Sequence, residues 1–295
     1  MQKAALLRLH FIVFLWGFTA ILGKLILANA MVLVFYRMLF ASFFLYLFLR
    51  IFKKERLNIS KRLFLQLSGI GVFMAFHWLC FFYSIKVSNV SIALSCLSLS
   101  TLFAAILEPI IFKRKVDLSE IIMGVVMVGC MAMIFKTELR YKEGIFFGII
   151  CALLGTVFSV LNGKMVLKTS SEKIIFYEIF SGWFVMSLFY AATGEISEIS
   201  EISYRDLSLV LILASIFTAY PMLESVRLMK YISPFTLILT VNLEPIYGII
   251  LAFFIFGSSE HMSPIFYVAS AIMILSIVIN GLIKSKKRNT QLNQN

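Results

Sequence analysis

Charge is scarce in this sequence. Asp, Glu, Lys and Arg make up 14% of its 295 residues, against about 25% in soluble domains, too little to cover a water-facing surface. Aspartate is nearly missing: Asp117 and Asp206 are the only two, and both are expected in loops, which removes an intramembrane aspartyl pair. Neither HExxH nor GxxxxGK[ST] occurs, so neither a zinc-protease site nor an ATP-driven motor is indicated. The four cysteines, Cys80, Cys96, Cys130 and Cys151, lie inside apolar runs without CxxC spacing. They predict neither a disulfide framework nor a zinc site, and are read as packing residues. No metal or other cofactor is expected.

What the chain does have is hydrocarbon. With 61% hydrophobic residues and a mean hydropathy of +0.95, it reads as mostly lipid-embedded. A bilayer core takes about 20 apolar residues per helix, and the apolar runs fall near 5–28, 31–52, 63–85, 89–112, 118–135, 144–167, 174–193, 207–227, 233–257 and 263–283. Lipid-exposed strands would leave backbone groups unpaired, and barrel strands would alternate rather than stay apolar. An all-α membrane protein of ten transmembrane helices is therefore predicted, with short loops and no room for a soluble domain.

The formal charge of +12 would suggest nucleic acid in a soluble protein, but the cations gather at alternate helix ends. With the N-terminus inside, twenty of the 27 fall on the inner side and five on the outer, while Lys24 and Arg37 lie within spans near their outer ends. The positive-inside rule then places both termini in the cytoplasm and accounts for the charge without nucleic acid. The acidic stretch Glu195, Glu198, Glu201 falls in an outer loop. Lys3, Arg8, the apolar run from Phe11 to Leu22 and Ala28-Asn29-Ala30 imitate a signal peptide with its cleavage site. The segment is read as a retained helix, because it has a counterpart further along.

That counterpart is an internal repeat. Phe18, Gly23 and Lys24 recur as Phe158, Gly163 and Lys164 at an offset of 140, and Lys86 recurs as Lys230 at 144. The extra residues fit the longer loop at 194–206, where insertions are tolerated. Each half holds five spans, an odd number, so the second must enter the membrane upside down. Inverted halves about a midplane site are a transporter signature. Residues 1–137 and 138–285 thus read as two five-helix repeats around a central cavity, followed by a polar basic tail at 286–295.

Four segments resemble the EamA-like ten-span branch of the drug/metabolite transporter superfamily. They are Leu15-Trp16-Gly17-Phe18 running to Gly23-Lys24, Phe35-Tyr36-Arg37-Met38-Leu39-Phe40-Ala41, Phe82-Tyr83-Ser84-Ile85-Lys86 with Asn89-Val90-Ser91, and Asn242-Leu243-Glu244-Pro245 through Phe256-Gly257. Two departures stand out. Thr101 occupies a place the family usually gives to proline, and Lys113-Arg114-Lys115 replaces a Gly-Glu pair at the close of the fourth span. The resemblance implies a cavity ringed by spans one, three, four, six, eight and nine. It also implies substrates such as amino acids, purines, sugars or toxic metabolites, commonly exported, and a multi-pass protein of a bacterial inner membrane.

Within the spans, Glu244 lies near mid-depth, where a carboxylate costs about 2.5–3.5 kcal/mol to insert and must face protein or a wet cavity. It is a candidate proton carrier or partner for a substrate ammonium; the alternative is a neutral Glu hydrogen-bonded at the helix kink of Pro245, whose missing N–H frees a carbonyl. His77, beside Trp78, is the only histidine at mid-depth and a second proton-coupling or substrate-contact candidate. Trp16, Asn162, Tyr220 and Asn242 add stacking faces and polar groups suited to a small-molecule site, unless they only pack or anchor helices. Pro221 marks a further kink. Lys24 and Arg37 are expected to snorkel to the outer surface, while Glu108, Glu178 and Glu224 are expected to pair with Lys113, Lys173 and Arg227.

The sequence thus predicts a gradient-driven or facilitative transporter, with a small metabolite and the lipid bilayer as partners and no reading of oligomeric state. The competing class is a membrane receptor, or a lipid-modifying intramembrane enzyme using His77 and Glu244.

Overall fold

The computed structural model describes residues 2–292; of the predicted tail at 286–295, residues 293–295 lie outside the described residues. Ten long helical segments succeed one another: α1 (Gln2–Leu25), α2 (Ala30–Phe52), α3 (Lys61–Val87), α4 (Val90–Phe112), α5 (Leu118–Thr137), α6 (Leu139–Met165), α7 (Ser171–Thr193), α8 (Tyr204–Leu228), α9 (Pro234–Glu260) and α10 (Pro264–Leu292). Among the described residues there is no strand, and nine helices, α1 to α9, are long and apolar enough to cross a bilayer. Among the residues of α10 whose side chains are described, the apolar stretch is Pro264–Ser276, and the apolar run of the sequence continues to Ile283.

The polarity of the surface is that of a protein dissolved in lipid. Large apolar side chains such as Phe254, Leu7, Phe146 and Leu188 face outward, while Arg37, Glu178, Asn162 and Glu244 are buried. In water an exposed apolar surface of this extent would drive aggregation. The chain is a multi-pass membrane protein.

Local sequence sets the helix starts. Asn29, Ser60, Asn89, Asp117, Ser170, Ser203 and Ser233 stand immediately before α2, α3, α4, α5, α7, α8 and α9, and each side chain accepts a backbone N–H two or three residues on. These caps satisfy donors that a helix N-terminus leaves over. At the other end, Gly194 closes α7 at φ 76°, a left-handed conformation that costs glycine little.

Two spans are broken in the middle. α4 consists of Val90–Leu97 and Ser100–Phe112, and α9 of Pro234–Val241 and Glu244–Phe256. The breaks lie at the same offset of 144 that relates Lys86 to Lys230, as do the caps Asn89 and Ser233. The first part of α4 packs on the second part of α9, and the first part of α9 on the second part of α4. Other pairings show the same correspondence: α3 packs on α6 and α7 as α8 packs on α1 and α2, and α6 packs on α4 as α1 packs on α9.

Small residues permit the closest crossings, as in other membrane bundles. A Cβ on Gly71 of α3 would sit 2.2 Å from the carbonyl oxygen of Glu178 in α7, and one on Gly182 would sit 2.9 Å from the carbonyl oxygen of Gly71. The two helices therefore touch backbone to backbone.

Candidate functional site

At the level of the two breaks the bundle encloses a cavity of about 110 Å³. Its walls come from α1 (Trp16, Thr19), α2 (Arg37), α3 (His77, Trp78, Phe81), α4 (Leu97, Ser100), α6 (Thr156, Phe158, Asn162), α8 (Met222, Ser225, Val226) and α9 (Ile238, Asn242, Glu244), among others. The six spans expected from the family resemblance all contribute, and α2 joins them through one side chain. The volume is below the roughly 300–1,000 Å³ of sites for drug-sized ligands and suits a small solute.

Six of the seven residues predicted to bind substrate meet on this wall: Trp16, His77, Trp78, Asn162, Asn242 and Glu244. Asn242 lies in the α9 break and donates from Nδ2 to Oγ1 of Thr101 just past the α4 break. The residue that replaces the family's proline thus ties the two broken helices together. Glu244, 6% exposed, opens the second part of α9, with Pro245 in the first turn, where a missing N–H costs no helical hydrogen bond. Pro245 therefore follows a tightened turn at Asn242 and Leu243 that interrupts α9.

His77 directs Nδ1 at the carbonyl of Cys151, 2.8 Å away. A carbonyl only accepts, so Nδ1 carries a proton, and Nε2 is the ring nitrogen left to exchange one. Asn162 donates from Nδ2 to Oε2 of Glu178 at 3.0 Å. The Oδ1 of Asn162 and the Oε1 of Glu178 are buried with no hydrogen-bond partner among the described residues.

The seventh residue is placed elsewhere. Tyr220 is 46% exposed and meets the ring of Phe11 edge-on, away from the cavity. The cause lies just before it, where residues Ser215–Ala219 form a π turn. The added residue rotates the remainder of α8 by about 100° relative to a regular helix. Pro221 then falls in the first turn after the π turn, so the predicted irregularity is there but the tyrosine faces outward.

Several charged residues also depart from the sequence reading. Arg37 does not snorkel: it is 2% exposed, donates from Nε to Oγ1 of Thr218 at 2.8 Å, and stacks its guanidinium 4.0 Å above the ring centre of Trp78. Its position held the missed signal. Seven residues past Ala30 is roughly 10 Å of helix, a long way for a side chain to climb. Glu178 pairs with Asn162 rather than Lys173, which instead reaches Glu55 at 3.4 Å. Glu108 pairs with Arg114 at 3.2 Å rather than with Lys113, whose left-handed backbone (φ 53°) ends α4. Glu224 does meet Arg227, at 3.4 Å, and Arg8 as well.

Each end of the α4–α9 cross is closed by a buried carboxylate. Toward the end where α1 finishes, Glu260 of α9 accepts from Val90 N (3.1 Å), Ser91 N (2.9 Å), Ser91 Oγ (2.7 Å) and Lys24 Nζ (2.7 Å). Toward the other end, Glu108 of α4 accepts from Phe235 N at 2.5 Å at the start of α9, and Arg114 bridges it to Glu120. Both carboxylates sit on the unsatisfied N–H groups and positive dipole end of the facing helix. The two ends of the α4–α9 cross are thus held by the same device.

A multi-pass helical membrane protein whose broken helices enclose a small, partly polar chamber is the class that this geometry defines. Residues 4–136 match the model of the EamA-like transporter family. One solved crystal structure superposes with a TM-score of 0.68 over 96% of this chain and 99% of its own, at 13% sequence identity; that likeness speaks to the fold alone. No curated protein matches the sequence.

Proposed function

We propose that the protein is a secondary transporter, gradient-driven or facilitative, that exports small metabolites such as amino acids from the cytoplasm across a bacterial inner membrane. In this reading ten spans form two inverted five-helix repeats, and the cavity opens alternately to each side as the Glu260 and Glu108 closures release in turn. The observation that carries it is the cavity's position where α4 and α9 both break. Helix breaks at membrane depth are tolerated where they line a cavity, and here they supply Asn242 and Glu244 to the wall, with Thr101 bonded behind Asn242. The correspondence of helix pairings between spans five apart supports the duplication.

Glu244 is the proposed proton carrier, with His77 as the second titratable group on the wall. The test is flux in proteoliposomes. Glu244→Gln should insert normally yet lose pH-dependent transport, and unchanged pH dependence would remove Glu244 from the mechanism. A cysteine-accessibility map that put both halves in the same orientation would overturn the inverted-repeat reading.

A further inference from the structure

Arg37 is a buried cation with spare hydrogen-bonding capacity. Its Nε is committed to Thr218, and the Thr218 hydroxyl, in the π turn, donates in turn to the carbonyl of Leu213, 2.7 Å away. One face of the guanidinium lies on Trp78, and Phe82 stands 5.3 Å from it. The group is therefore clamped in direction. Yet Nη1 is buried without a hydrogen-bond partner among the described residues, and the side chain forms part of the cavity wall. Glu244 is near enough to interact electrostatically, but the ion pairs among the described residues all join other partners. A buried guanidinium with an unfilled N–H is costly unless something occupies it.

We propose that Arg37 is the anchor for a carboxylate on the transported solute. The inference rests on the transport reading and narrows it to solutes bearing that group. The planar fork of an arginine matches a carboxylate, and the neighbouring rings of Trp78 and Phe81 offer an apolar wall for the rest of the molecule. Charge balance refines the match. A carboxylate on Arg37 leaves Glu244 facing new negative charge, and two things relieve it: an ammonium on the same solute, or a proton on Glu244. A zwitterion therefore brings its own compensation, whereas a simple carboxylate enters with a proton.

Three probes of one shape separate these cases: phenylalanine, 3-phenylpropionate and phenethylamine, carrying both charges, the carboxylate alone and the ammonium alone. Binding is read by ligand-induced thermal stabilisation of the detergent-solubilised full chain. Phenylalanine and 3-phenylpropionate should stabilise the wild type, the latter more at lower pH, while phenethylamine should not. Charge-assisted hydrogen bonds of about 1.5–3 kcal/mol correspond to roughly 10- to 100-fold in affinity, the loss expected in Arg37→Gln. Arg37→Lys, which keeps charge without the fork, should fall between and serves if the glutamine variant does not fold.

Stabilisation by the amine alone, no response to either carboxylate, or wild-type affinity in Arg37→Gln would each overturn the anchor. Proteoliposome flux separates the two readings. Wild-type flux of phenylalanine by Arg37→Gln removes the anchor and leaves transport standing, whereas binding without any wild-type flux removes transport and leaves the anchor.

Discussion

Replacing Glu260 by alanine removes the carboxylate that joins α9 to the start of α4, and its consequence can be sized from the contacts. The side chain is 0% exposed and receives four donors, Lys24 Nζ, Val90 N, Ser91 N and Ser91 Oγ, at 2.7 to 3.1 Å. Alanine leaves two buried backbone N–H groups unpaired, while Asn89 still caps Ile92. Lys24 is 25% exposed and recovers much of its solvation, so its share is modest. Breaking a buried pair of this kind costs about 3–5 kcal/mol, most of it from the stranded helix N-terminus. At on the order of 2 °C per kcal/mol for a chain of this size, the melting temperature should fall by roughly 6–10 °C. The four buried cysteines supply the assay, because a thiol-reactive dye reports their exposure as the solubilised protein unfolds. Lys24→Met should cost far less, about 1 kcal/mol. A shift below about 2 °C in Glu260→Ala would refute the idea that this carboxylate holds the Lys24 end of the cross.

Other outcomes are set by the same contacts. Gly71→Ala would force a methyl to 2.2 Å from a backbone oxygen, and overpacking of about 1–3 kcal/mol or more should broaden or abolish the monodisperse peak in size-exclusion chromatography. Gly129→Ala, with nothing within 4 Å, should elute as wild type. Tyr220→Phe should leave flux and probe binding unchanged, since its hydroxyl lies away from the chamber; a marked loss would put the tyrosine back in the site.

Much of the fold is legible in the sequence because its rule is local. Twenty consecutive apolar residues cannot be hidden in a small soluble protein, so α1 to α9 lie where the apolar runs place them, and single Ser, Asn or Asp residues mark the helix starts. The candidate wall is legible for a related reason: a polar or aromatic residue at mid-depth needs somewhere wet to face, which identifies Asn162, Asn242, Glu244 and His77. Sequence and structure part over direction. Arg37 reads as an outer-surface residue because a span's sequence does not reveal which side of the helix meets lipid. Tyr220 reads as a wall residue because a regular helix would carry it there.

By itself, then, the sequence determined that the chain is dissolved in hydrocarbon, where its helices begin and end, and which residues are too polar to face lipid. Hydropathy and capping act over a few neighbouring residues, and the linear order contains all they need. Only the tertiary structure decided that Arg37 stacks on Trp78, that Asn242 meets Thr101 across two helix breaks, and that Glu260 and Glu108 each close the start of the other broken helix. The last three pairings join residues more than a hundred positions apart, and all of them depend on helix rotation, a quantity set by packing among all the spans at once.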